Sequence, residues 1–201
     1  EHVRGQMVDK KIRLALAQMN PTVGDLVGNF KRIVERIEQA RAQGVDQVLF
    51  PELAITGYSP DDLVKHREFV DQNKQLIRLL ARQTQGITAV VGFIDIDTYG
   101  QAYNALAIMS DGEIKGVYRK NALPNYSVFD DKRLFKPGEG IGLYDMDGNP
   151  LHKELFNMDG LLLAYNICED IWIEQDGEKM EDRTGVQDPV DHQIIASYQA
   201  Q

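Results

Sequence analysis

The 201-residue chain holds one cysteine, one tryptophan and four scattered histidines, His2, His66, His152 and His192. A single cysteine excludes an internal disulfide and suits a reducing compartment, so a cytoplasmic location is expected. The histidines give no ligand cluster spaced for zinc, and no metal is expected. No apolar run approaches the roughly 20 residues that a membrane-spanning helix needs. The polar opening Glu1-His2-Val3-Arg4-Gly5-Gln6 does not have the form of a signal peptide. Basic residues are in deficit: 22 Lys and Arg against 31 Asp and Glu leave a net charge of −9. That balance argues against nonspecific binding to nucleic acid or to an anionic membrane. Also missing are a GxGxxG dinucleotide fingerprint, a phosphate loop and any internal repeat.

What remains is an ordinary globular composition, 43% hydrophobic and 26% charged, with enough length to bury a core. Residues 1–10 read as a polar extension. Lys11 to Met19 reads as a strand, followed by turn chemistry at Asn20-Pro21-Thr22-Val23-Gly24-Asp25. Asn29 is placed to cap a helix in which Phe30, Ile33, Val34, Ile37 and Ala40 recur at helical spacing, with Gly44 closing it. Val45 to Phe50 is then a short strand. Glu68 to Arg82 predicts a second helix and Ile87 to Ile96 a third strand. Tyr103 to Ser110 and Glu113 to Arg119 predict a hairpin joined by Asp111-Gly112. The order βαβ, αβ and then a run of strands implies an α/β layered fold with a mixed sheet. From Glu174 onward the chain turns acidic and polar, Ile194 to Tyr198 excepted, and 174–201 reads as a polar tail.

Three segments carry reactive groups. In Val48-Leu49-Phe50-Pro51-Glu52 a strand runs into a proline and then a carboxylate, at the kind of strand end where sites of open α/β sheets assemble. In Gly116-Val117-Tyr118-Arg119-Lys120 a lysine stands at a strand end before a proline-bearing turn. In Leu161 to Cys168 an apolar run, read as a buried strand, ends in the thiol, followed by Glu169 and Asp170. Each has a plain alternative: an exposed loop carboxylate, a surface lysine, and a small buried hydrophobe. If the three strands run parallel, their ends converge. Cys168 is then a nucleophile and Glu52 its general base and acid. Lys120 stabilises the thiolate and the developing oxyanion, with the N–H of Glu169 as a second oxyanion donor. Such a set suits acyl transfer from an amide or nitrile carbon.

Phe50-Pro51-Glu52, Tyr118-Arg119-Lys120 and Cys168-Glu169-Asp170 resemble the Glu–Lys–Cys triad of the nitrilase, or carbon–nitrogen hydrolase, superfamily. Three longer stretches, Leu16 to Asp25, Phe50 to Tyr58 and Tyr118 to Tyr126, sharpen the likeness. With Val128 to Phe135 and Cys168 to Trp172, they resemble the N-terminal glutaminase domains of glutamine-dependent NAD synthetases. The resemblance implies a four-layer αββα sandwich over 11–173, incomplete at its C-terminus. It implies hydrolysis of glutamine through a Cys168 thioester, with Glu52 as base and Lys120 on the oxyanion. Tyr126 and Glu169 would shape the glutamine pocket, and Asp131 stands where relatives carry a glutamate that supports the lysine. The glutaminase step needs no cofactor. ATP and Mg belong to a separate synthetase domain that amidates nicotinic acid adenine dinucleotide and is absent from this chain. The expected partners are that domain or a homo-oligomeric neighbour. Two other readings stand beside this one: an amidase or carbamoylase acting on another small amide, and a truncated domain that only packs against partners.

Overall fold

The computed structural model describes residues 11–153 and 155–171, with the backbone of 174–175 and 178–179. Five strands form one mixed sheet in chain order: β1 (Leu14–Leu16), β2 (Gln47–Leu49), β3 (Thr88–Ile96), β4 (Ala102–Ser110) and β5 (Glu113–Arg119). β1, β2 and β3 pair in parallel, whereas β4 pairs antiparallel with both β3 and β5. The C-terminal ends of β1, β2, β3 and β5 therefore lie along one edge. Asp111 and Gly112, both at positive φ (52° and 85°), make the tight hairpin between β4 and β5.

Alternation along β3 divides its side chains between two cores. Ala89, Val91 and Phe93 pack against Ile33 and Ile37 of α1 (Leu26–Ala42) and Ile77 and Leu80 of α2 (Arg67–Ala81). Burying each large aliphatic side chain there is worth about 1.5–3 kcal/mol. On the opposite face Val90 joins Leu106, Ile108 and Tyr118 beneath Tyr165, Ile167, Phe156 and Leu163. The last two belong to a hairpin of β6 (Phe156–Met158) and β7 (Leu161–Leu163). Helices, sheet and a second, smaller sheet thus stack in a mixed α/β arrangement. A four-residue helix, α3 (Asp131–Leu134), follows β5, and a two-residue pair, β8 (Glu174–Gln175) with β9 (Glu178–Lys179), is the described part of the tail.

Several boundaries differ from the sequence reading. β1 is three residues long, not nine. The cap of α1 is Asp25, whose Oδ1 accepts the Gly28 amide at 2.9 Å. Asn29 lies one turn inside, fully buried, where it accepts the Thr22 amide and donates to the carbonyls of Thr22 and Ile55. An amide at a buried helix position tethers loops rather than capping. The largest difference is at the cysteine. β7 ends at Leu163, pairs with β6 rather than with the main sheet, and is only half-buried. The expected strand running to Cys168 is a three-residue strand followed by chain of no regular structure. Three expectations fall on residues outside those described: the extension at 1–10, Trp172 and the Ile194 to Tyr198 patch.

Candidate active site around Cys168

The turn after β2 folds back over the sheet instead of leaving it. A Cβ added to Gly92 would stand 2.4 Å from Leu53 N and 2.6 Å from Pro51 O, so only glycine lets the Glu52 segment lie against β3. The Ile55 amide donates to Gly92 O at 3.2 Å, and Leu53 takes a left-handed φ of 49°. Glu52 then projects over β4 toward the end of β5. There Lys120 Nζ lies 2.8 Å from Glu52 Oε1 and 2.8 Å from Asp131 Oδ2. The Lys120 side chain is 1% exposed and that of Asp131 2%, which removes the surface-lysine alternative. Burial disfavours the charge on Lys120, but Glu52 and Asp131 outweigh it and hold the ammonium above the usual lysine range. Asp131, though shorter than a glutamate, reaches the lysine because α3 begins at it.

Cys168 opens a single turn of 3-10 helix (Cys168–Ile171) with φ 46°, a left-handed backbone that costs a non-glycine residue about 1–2 kcal/mol. Its thiol is exposed, not packed in the core. Partial burial and the charge of Glu52 push the thiol above its ordinary pKa, with Lys120 pulling the other way. The charges of Glu169 and Asp131 also act on it. A protonated resting thiol requires a base at the moment of attack.

Asp170 holds this turn in place. Its Oδ1 accepts the amides of Asn121 (3.0 Å) and Ala122 (2.7 Å), and its Oδ2 accepts the Tyr118 hydroxyl (2.8 Å) and the Ile167 amide (3.1 Å). Burial nevertheless pushes its carboxyl up to about 6. Glu169, 2% exposed, accepts the Tyr126 hydroxyl at 2.8 Å. Tyr126 and Phe129 meet edge to face at 5.8 Å, with Tyr58 beyond at 6.3 Å from Phe129.

Glu52, Lys120, Asp131, Cys168, Glu169 and Tyr126 thus share one region. Sequence reasoning missed three neighbours. Tyr58 donates to Asp131 Oδ1 at 3.1 Å, and burial together with that carboxylate pushes its phenol well above the ordinary range, keeping it a donor. Asn104 donates to Glu52 Oε1 at 2.6 Å. Asp170 was noticed only as a second carboxylate after the thiol. The signal for Asn104 was present: an amide inside the otherwise apolar run Tyr103 to Met109 must find a partner. Among the described residues no group of three or more His, Cys, Asp or Glu could hold a metal ion. No described helix is long and apolar enough to cross a membrane.

The family profile described as carbon-nitrogen hydrolase matches residues 13–176. The glutamine-dependent NAD(+) synthetase of Thermotoga maritima is 44% identical over 165 residues, covering 81% of this chain and 26% of its own length. That of Acinetobacter baylyi is 37% identical over 163 residues, covering 81% and 28%. The chain thus spans about a quarter of the length of these relatives. Among solved structures, the glutamine-dependent NAD+ synthetase from Acinetobacter baumannii superposes with a TM-score of 0.70 at 35% identity, covering 80% of this chain and 28% of that one. With a profile matched over most of its length and relatives of this similarity, the chain belongs to the carbon–nitrogen hydrolase family.

Proposed function

We propose that the chain hydrolyses the side-chain amide of glutamine through a glutamyl thioester on Cys168. The observation that carries this reading is the buried Lys120 ammonium held between Glu52 and Asp131, three charges that all act on the Cys168 thiol. Glu52 takes the thiol proton as the sulfur attacks the amide carbon. The oxyanion that forms is met by the Lys120 ammonium and by the N–H of Glu169, the residue after the nucleophile. Glu52 returns its proton to the leaving nitrogen, and ammonia departs. Water, deprotonated by Glu52, then attacks the thioester and frees glutamate and the thiol. Asp131 keeps Lys120 charged and aimed. Tyr126 and the buried Glu169 line the substrate's side of the pocket, where a carboxylate suits the α-ammonium of an amino acid.

The length relationship to the relatives supports a second step on another domain. The ammonia would serve the amidation of nicotinic acid adenine dinucleotide to NAD, with ATP and Mg used there and no cofactor in hydrolysis itself. The partner is a synthetase domain or a second copy of the chain, and the working compartment is the cytoplasm. The test is ammonia release from glutamine by the purified chain, with mass spectrometry of Cys168 for the glutamyl adduct. Cys168→Ala abolishes turnover and the adduct while glutamine binding persists. Retained turnover would falsify the nucleophile assignment, and preference for a simple aliphatic amide would move the substrate to another branch of the family.

A further inference from the structure

The geometry points to Asn104 as a positioning residue that reserves one oxygen of Glu52, Oε2, for the proton transfers; this rests on the reading of Glu52 as the base. Both hydrogen bonds to the Glu52 carboxylate fall on the same atom. Asn104 Nδ2 donates to Oε1 at 2.6 Å and Lys120 Nζ at 2.8 Å, and Oε2 has no partner among the described residues. One donor lies in β4 and the other directly follows the end of the adjacent β5. The Lys120 amide donates to the Asn104 carbonyl at 2.8 Å, and Asn104 pairs with Ile94 across β3 and β4. Asn104 is therefore held on both sides by the sheet and is fully buried.

The orientation of its amide follows from the acceptor it faces. Reversed, Oδ1 would meet Oε1 with no proton between two acceptors. In the observed orientation Oδ1 is buried and has no hydrogen-bond partner among the described residues. An apolar side chain would avoid that penalty, so the amide is explained by what Nδ2 does for Glu52 rather than by packing.

The chemical consequence concerns both protonation states of the base. When Oε2 takes the thiol proton, Oε1 becomes the carbonyl oxygen of a carboxylic acid and still accepts from Asn104 and Lys120. The proton enters and leaves at Oε2 while both bonds at Oε1 persist, so the carboxyl plane does not turn between steps. Lys120 alone, shared with Asp131, would not fix that plane. Asn104 is neutral across the working pH range and does not compete for the proton.

The test follows capture of Cys168 by a chloroketone analogue of glutamine, read by mass spectrometry as a function of pH on the full chain. Asn104→Ala and the isosteric Asn104→Asp both remove the donor. Each is expected to move the acid limb of the capture rate to higher pH, Asp further than Ala because it adds a like charge. The limiting rate falls about 10–100-fold, with the analogue concentration for half-maximal capture little changed. An unmoved acid limb in a variant with wild-type circular dichroism overturns the inference. Capture that survives in Glu52→Gln instead overturns the base assignment. In the unmutated protein, one Asn104 side-chain amide proton should exchange slowly; a freely exchanging pair overturns the contact without any substitution.

Discussion

The carboxylate of Asp170 accepts the backbone amide of Ala122 at 2.7 Å. Through that bond the turn carrying Cys168 is fastened to the strand end carrying Lys120, two segments almost fifty residues apart in sequence. β7 does not pair with the main sheet, so the fastening falls to a side chain rather than to a ladder.

Asp170→Ala leaves the amides of Asn121, Ala122 and Ile167 without their buried acceptor. The expected loss is about 3 kcal/mol or more of unfolding free energy, measured by urea titration, together with loss of Cys168 capture. A pH dependence accompanies it. Burial raises the folded-state carboxyl to about 6 from an ordinary 3.8. A raised pKa means the folded state holds the proton more tightly, so this group's contribution is full below the ordinary value and lost as pH rises through the folded one. Wild-type stability minus that of Asp170→Asn should therefore decline between about pH 4 and pH 6. A difference that grows over that interval contradicts the assignment.

Lys120→Met removes the ammonium between two carboxylates, one of them 2% exposed. Breaking a buried ion pair from one side costs about 3–5 kcal/mol, because the partner charge stays buried. Adding Asp131→Asn to Lys120→Met should return part of that stability without returning activity. If the double substitution is as unstable as the sum of the two single ones, the three groups do not form a coupled set.

The Cys168 thiol is held above its ordinary pKa, first by burial and then by Glu52. Its alkylation by iodoacetamide should be slow at neutral pH, with a midpoint above that of a free thiol. Glu52→Gln removes the nearby negative charge and should lower the midpoint, while capture by a glutamine analogue is lost. Lys120→Met should shift the midpoint upward. Unchanged midpoints in both variants separate the thiol from these charges.

Gly92→Ala places a methyl group 2.4 Å from Leu53 N, so the Glu52 turn must lift off the sheet. The expected cost is about 1–3 kcal/mol in stability, as for other overpacked sites, and a fall in the rate of Cys168 capture of about 100-fold. Activity at the wild-type level would show that the Glu52 turn tolerates displacement.

Local pattern carried most of the elements. Helical spacing in Phe30 to Ala40 and Glu68 to Arg82, the Asp111-Gly112 turn and the apolar runs of β3, β4 and β5 depend on neighbours in sequence, and each element formed within a few residues of its expected place. Cys168 was misjudged because an apolar run reads alike whether a sheet ladder or a loop continues it. The residue types of the site were legible as well, since a carboxylate, a lysine and a thiol each follow an apolar segment. Their surroundings were not. Lysines are nearly always exposed, and only the folded-back Glu52 turn over Gly92 together with Asp131 at the start of α3 supply the two carboxylates that let Lys120 stay charged with 1% of its side chain exposed. Asn104 looked like one more strand residue until the register of β3, β4 and β5 set its amide beside Glu52. Sequence by itself determined the elements and the reactive groups, because those follow from short-range periodicity and composition. Burial, partners and protonation were decided only by tertiary structure, because they depend on contacts between residues 11 to 68 positions apart in sequence.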